Sequence, residues 1–194
     1  MAEQLSRTHP LEAWLPAFAE LSGAVRISAE PFVPMTVLRA DPATAGDVRI
    51  RGAALPTAPG SWASAGAGWL IWLGPDEWLL TGPGAAPEAL EEELRTLLRP
   101  VGGSAADVSA QRIGIRLGGP RARQVLAKGC SIDLHPRVFT PGQSAQTTLG
   151  QAGVLLLALG EDEFAVLVRS SFGGYLASWL LDASLEYAAP ALTS

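Results

Sequence analysis

Arg112-Ile113-Gly114-Ile115-Arg116-Leu117-Gly118-Gly119-Pro120 sets the architecture. Ile113, Ile115 and Leu117 alternate with Arg112 and Arg116, so one side of an extended chain is apolar and the other charged. That period of two marks a half-buried strand. Gly118-Gly119-Pro120 ends it, and Pro120 opens a helix that stops at Gly129, read as its C′ glycine. The apolar runs 154–159 and 163–168 are strands around the turn Gly160-Glu161-Asp162. Ser171 is the expected N-cap of a last helix, whose apolar face is Phe172, Tyr175, Leu176, Trp179 and Leu180. A short strand over 185–188 closes the set. Strand, helix, strand, strand, helix, strand is the split βαβ, ferredoxin-like order.

Upstream, Trp69-Leu70-Ile71-Trp72-Leu73 and Glu77-Trp78-Leu79-Leu80-Thr81 flank Gly74-Pro75-Asp76, which has turn chemistry. The pair predicts a hairpin. A helix follows over 87–99, with Pro87 and four glutamates at its N-terminal side and Leu90, Leu94, Leu97 and Leu98 as its stripe. Residues 35–39 and 47–51 read as short strands. Residues 53–68, rich in Gly, Pro, Ala and Ser, read as a loop. Residues 1–34 read as an N-terminal arm in which Leu11, Leu15 and Phe18 recur at helical spacing. The expectation is that arm followed by one α+β domain over 35–190, built from two split βαβ units without a clean sequence repeat.

The bulk composition narrows the function. The chain has 194 residues, 48% of them hydrophobic, and a net charge of −5. That suits one large domain with a terminal arm. Lys128 is the only lysine, and no basic patch is visible, so neither nucleic acid nor an anionic membrane is an expected partner. Cys130 is the only cysteine, which excludes an internal disulfide. His9 and His135 are far apart in sequence, and no cluster has the spacing of a zinc site. No apolar run approaches the ~18 residues of a membrane span. The first ten residues lack the apolar core of a signal peptide. A cytoplasmic protein is expected.

Several motifs then fall in order: Trp72-Leu73-Gly74-Pro75-Asp76-Glu77-Trp78, Asp107-Val108-Ser109, Gly118-Gly119-Pro120-Arg121-Ala122, Asp133-Leu134, Pro141-Gly142 and Arg169-Ser170-Ser171-Phe172. Over residues 35 to 185 the chain resembles the gamma-subunit family of heterotetrameric sarcosine oxidase. From 107 to 179 it is also similar to the glycine-cleavage T-protein and other folate-binding relatives. The resemblance implies the α+β fold of the T-protein (aminomethyltransferase) folate-binding domain. It implies a non-catalytic subunit packed directly on an alpha subunit, in a complex with beta and delta subunits. That complex oxidatively demethylates sarcosine to glycine, forms H2O2 and passes the methylene carbon to tetrahydrofolate. By the same resemblance FAD, FMN, NAD and tetrahydrofolate belong to the other subunits and none to this chain. In the T-protein family a hairpin reads Gly-Gly-Ile-x-Asp-Asp, and one carboxylate serves the folate chemistry. Ala152-Gly153-Val154-Leu155-Leu156-Leu157 stands here, with Leu156 and Leu157 at the carboxylate positions. The alternative, a stand-alone folate-binding, aminomethyltransferase-like protein, calls for carboxylates near Gly153.

The remaining features carry a bland reading beside a functional one. Trp69, Trp72 and Trp78 are either large core residues or an aromatic contact for a partner; with Leu11, Trp14, Leu15 and Phe18 they are the candidate partner-contact residues. Asp107 and Ser109 are a remnant of a folate-site loop or, more simply, a turn that bonds its own backbone. Gly118-Gly119-Pro120 lacks the pattern of a phosphate loop and reads as a tight turn. Arg169-Ser170-Ser171 could hold an anion, though capping accounts for the serines. Lys128-Gly129-Cys130 matches a motif of one folate-binding relative, but Ser131-Ile132-Asp133-Leu134 follows in place of Gly-Gln-Glu. His135 reads as a loop residue. No residue is assigned a catalytic, cofactor-binding or metal-binding role.

Overall fold

The computed structural model of the chain describes residues 8–21 and 23–187. A 3-10 turn, Glu12–Trp14, and helix α1 (Leu15–Glu20) precede strands β1 (Arg26–Ala29) and β2 (Met35–Arg39). The two-residue strands β3 (Arg49–Ile50) and β4 (Ala53–Ala54) pair with each other. Strands β5 (Trp62–Ala65), β6 (Gly68–Gly74) and β7 (Glu77–Thr81) form a meander, followed by α2 (Pro87–Leu98) and β8 (Ser104–Asp107). Then come β9 (Arg112–Gly118), α3 (Ala122–Ala127), β10 (Ser144–Leu149), β11 (Ala152–Ala158), β12 (Glu163–Arg169) and α4 (Gly173–Ser184).

Two five-stranded sheets result, ordered β5-β6-β7-β2-β8 and β1-β9-β12-β11-β10. Every pairing is antiparallel. Each sheet contains the four-strand ferredoxin-like order, as β6-β7-β2-β8 and as β11-β12-β9-β1. In the first, α2 connects β7 to β8, which lie on either side of β2. In the second, the place beside β9 is taken by β1 from the start of the chain, in the register Arg26↔Gly118 to Ala29↔Ile115.

That swap corrects two expectations. Among the described residues no closing strand follows α4: Leu185–Tyr187 is a 3-10 turn, and Ala188 lies outside the described residues. The edge of β9 already bonds to β1, so it offers no free N–H and C=O row for a later strand. Residues 8–34 are also not an appendage. Leu11 and Phe18 are buried in the main core, and β1 belongs to the sheet, so a boundary at residue 34 cuts through hydrogen-bonded structure.

The two sheets pack face to face. Met35, Ile71 and Leu79 of the first interlock with Leu155, Leu157, Ala165 and Leu167 of the second. Helix α2 covers the outer face of the first sheet, setting Leu90, Leu94 and Leu98 on Leu38, Leu70, Trp78 and Leu80. Helices α1, α3 and α4 cover the other, over Ile115, Leu117, Leu156, Phe164 and Val166. Burial on both faces is why β11 and β12 read as continuous apolar runs. Each fully buried leucine contributes about 1.5–3 kcal/mol. Along one side β5 and β10 are stitched together, with Trp62 N–H donating to the Gly142 carbonyl at 3.1 Å and Ser144 N–H to Gly60 at 2.7 Å.

Local differences have local causes. Residues 53–68 contain β4 and β5, because cross-strand bonds order what composition alone reads as loop. Of 47–51, only Arg49–Ile50 is strand. Leu97 is exposed: the 90, 94, 98 spacing already fills the stripe of α2. Ser171 makes no side-chain cap; Ser170–Phe172 is a 3-10 turn whose Ser170 hydroxyl donates to the Ala110 carbonyl at 2.8 Å. Among the described residues no helix is long and apolar enough to cross a membrane.

Candidate functional site

Strand β11 carries Leu156 and Leu157 side by side. Adjacent strand residues point to opposite faces. Leu156, 1% exposed, therefore joins the core under the helices, and Leu157, fully buried, joins the core between the sheets. Leu157 sits between Ser144 on β10 and Ala165 on β12. Neither leucine accepts a hydrogen bond or carries charge, and both are packing residues.

The tryptophans split by face in the same way. Trp72 pairs directly with Trp78 across the hairpin, and both pack on the α2 side. Trp78 is buried and its indole N–H donates to the Pro56 carbonyl at 2.7 Å. Trp69 lies on the inter-sheet face. It meets the edge of Trp62 at 6.3 Å between centroids, and the Arg116 guanidinium stacks 4.6 Å above it. Arg116 is held by Glu30.

Of the seven candidate contact residues, Leu11, Phe18 and Trp78 are buried and present no surface to a partner. Each fills its own core, which a hydrophobic residue at helical or strand spacing does by default. Trp14, Trp69 and Trp72 are half-buried. Trp14 lies against Gly174 of α4 and donates to the Ser178 hydroxyl at 3.0 Å. Leu15 alone of the seven is exposed, at 41%. Phe172 and Tyr175, expected as part of the buried face of α4, are also exposed, at 42% and 39%. Their rings meet edge to face at 6.5 Å. Leu176, Ala177, Leu180 and Ala183 form the buried stripe instead. The offset from that stripe is the signal in the sequence that separates them.

The polar motifs resolve into local structure. Asp107 Oδ1 accepts from the Ser109 N–H and hydroxyl, while the Ser109 oxygen accepts from Met35 N–H at 3.0 Å. This clasp joins the end of β8 to the start of β2. Gly119 has a φ of 108°, and a Cβ there would lie 2.6 Å from the Ala24 carbonyl, so Gly118-Gly119-Pro120 is a turn shaped by close backbone approach. Gly129 is not left-handed as a C′ glycine would be; a Cβ would fall 2.5 Å from the Trp179 ring and 3.0 Å from Gly150 N. Its small size lets the indole close over the end of α3. Cys130 bridges to Leu149 through the backbone. His135 Nδ1 accepts from Arg137 N–H at 3.2 Å, in a turn where Asp133 accepts from His135 N–H at 2.8 Å. Among the described residues no group of three His, Cys, Asp or Glu is placed to hold a metal.

Known proteins place this arrangement. Residues 38–186 match the model of the sarcosine oxidase, gamma subunit family. The chain is 38% identical over 190 residues to a sarcosine oxidase subunit gamma of Arthrobacter sp., covering 95% of this chain and 93% of that one. It is 38% identical over 179 residues to the subunit gamma of Corynebacterium sp. strain U-96, covering 88% and 85%. In structure it is similar to a chain of heterotetrameric sarcosine oxidase from Corynebacterium sp. U-96 in complex with pyrrole 2-carboxylate, with a TM-score of 0.85 and 32% identity over 96% of this chain and 99% of that chain. The glycine cleavage system aminomethyltransferase T of Bartonella henselae shares the fold, with a TM-score of 0.62 at 17% identity over 90% of this chain and 50% of that chain. On the whole-chain identity and the family match, this chain belongs to the sarcosine oxidase gamma subunit family.

Proposed function

We propose that this chain is the non-catalytic, structural gamma subunit of a heterotetrameric sarcosine oxidase. The observation that carries the reading is β11: the strand keeps its place in a T-protein-like fold, while Leu156 and Leu157 are sealed into two different cores. A carboxylate that stabilises cationic folate intermediates has no counterpart in such a pair. In this reading the chain packs on the alpha subunit, with beta and delta completing a cytoplasmic complex. FAD, FMN, NAD and tetrahydrofolate reside in the other subunits, where sarcosine is demethylated to glycine with H2O2 formation and methylene transfer. Leu15 on α1, together with Phe172 and Tyr175 at the start of α4, offers exposed apolar surface for the contact. Co-expression with the larger subunits and affinity capture on this chain tests the proposal; capture of this chain alone counts against it.

The aminomethyltransferase fold supports one other reading, a folate-binding protein in its own right. Fold is a weak warrant for function. Titration of the full chain with tetrahydrofolate separates the two: stoichiometric, tight binding favours the second, and no saturable binding favours the first.

A further inference from the structure

Arg112 and Arg169 stand directly opposite each other on β9 and β12. Like charges at such a position repel, and a sheet gains nothing by placing them there. Both side chains lie on the face of the second sheet that looks toward the first, where they share a recess with Gln146, Thr148, Gly153 and Leu155. Arg112 is half-buried. Burial, and after it the charge of Arg169, push its guanidinium below the ordinary arginine value, with Glu77 acting in the opposite sense. Glu77 is already engaged by Arg39 at 2.8 Å. Among the described residues neither Arg112 nor Arg169 makes an ion pair with a carboxylate. Two cations thus face one another on neighbouring strands, Arg112 half-buried and donating to the Gln111 side-chain oxygen at 2.6 Å.

The floor of the recess is left open. Gly153 lies within β11, and a Cβ built on it meets nothing within 4 Å. Its φ is not in the left-handed region, so the backbone does not require glycine. Gly153 is exposed, and a side chain at this position would extend into the recess. Leu155, 3% exposed, backs the recess from the core side; the Thr148 hydroxyl pairs with that of Ser131, and Gln146 donates to the Leu73 carbonyl at 2.8 Å. The recess is a solvent-open depression of about 500 Å³, more space than a bare inorganic anion needs.

We propose that this mouth of the inter-sheet cleft is a binding site for a small carboxylate-bearing molecule. The guanidinium pair takes the carboxylate, and the space over Gly153 takes the body of the ligand. Planar guanidinium forks match carboxylates in bidentate geometry, which suits arginine rather than lysine here. The site is independent of the proposed role in assembly.

The test is calorimetric titration of the full chain with citrate, and separately with sulfate, at low ionic strength. Saturable citrate binding is expected, with sulfate weaker. Arg112→Gln and Arg169→Gln each weaken citrate binding roughly tenfold. Gly153→Leu fills the recess and abolishes binding with both arginines intact. Arg95→Gln on α2 leaves it unchanged. Circular dichroism and melting curves establish that each variant is folded; Gly153→Leu has room for its side chain and serves if an arginine variant does not fold. Absence of saturable citrate binding, binding equally lost in Arg95→Gln, or binding unaffected by Gly153→Leu would overturn the proposal.

Discussion

Leu157 is the position at which the packing account is most exposed to test. It is fully buried among Met35, Ile71, Leu79, Ala165 and Leu167, at the junction of the two sheets. Truncation to alanine removes apolar contacts and leaves a void that close-packed sheets fill only partly. The expected cost of Leu157→Ala is about 3 kcal/mol. For a chain of this size that lowers Tm by about 6–12 °C. Leu157→Asp, which places a carboxyl in that core, is worse and depends on pH. The unfolded carboxyl titrates near ~3.9. Burial raises the folded-state value above that, so the folded chain holds its proton to higher pH. The penalty is therefore smallest below pH ~4 and grows by about 1.4 kcal/mol per unit as pH rises, until the folded group ionises too. Urea denaturation of both variants between pH 4 and 7 measures this directly. An Asp variant that melts within ~2 °C of the parent at pH 7, and tracks the Ala variant across pH, would refute the burial argument.

Three further outcomes follow from specific contacts. Gly129→Ala drives a methyl into the Trp179 ring and costs about 1–3 kcal/mol in denaturant titrations, with an altered tryptophan emission spectrum as the indole shifts. Arg116→Met removes both the Glu30 ion pair and the stack on Trp69, leaving the largely buried Glu30 carboxylate unpaired; it destabilises by more than Glu30→Gln, which keeps a neutral partner, and a double-mutant cycle reads the coupling. Tyr187 is held above the ordinary phenol range first by its hydrogen bond to Glu186, whose own carboxyl is held low by Lys128; ultraviolet titration should show that tyrosine ionising late, and Glu186→Gln should bring it back toward the ordinary value.

Much of the fold was legible because the strands obey simple periods. Arg112–Gly118 carries its alternation in full, and the Trp69 to Thr81 hairpin is announced by Gly74-Pro75-Asp76. The helix begun at Pro87 reads from its leucines four apart. What the sequence hid is long-range. Nothing in Arg26-Ile27-Ser28-Ala29 marks it as the strand that completes a sheet more than 80 residues downstream, because local pattern carries no information about which edge a strand will join. The same gap led to a closing strand being expected after α4. Which apolar residues reach the surface was hidden for a related reason. Apolar spacing identifies a buried stripe, but Leu11 and Phe18 satisfy it within this chain, while Phe172 and Tyr175 sit just off it. The arginine pair needed strand registry, since Arg112 and Arg169 are 57 positions apart and become neighbours through the β9–β12 ladder.

A scaffolding role in a larger sarcosine-oxidising assembly makes the size of that assembly depend on this chain. The most direct measurement is sedimentation analysis of the four co-expressed subunits, made with and without this chain, alongside sarcosine turnover of each preparation. The proposed role predicts one copy of this chain per complete complex, no turnover by the chain alone, and a smaller or dissociated assembly when it is omitted. A complete, active complex that forms without it, with the chain sedimenting freely when present, would contradict the account.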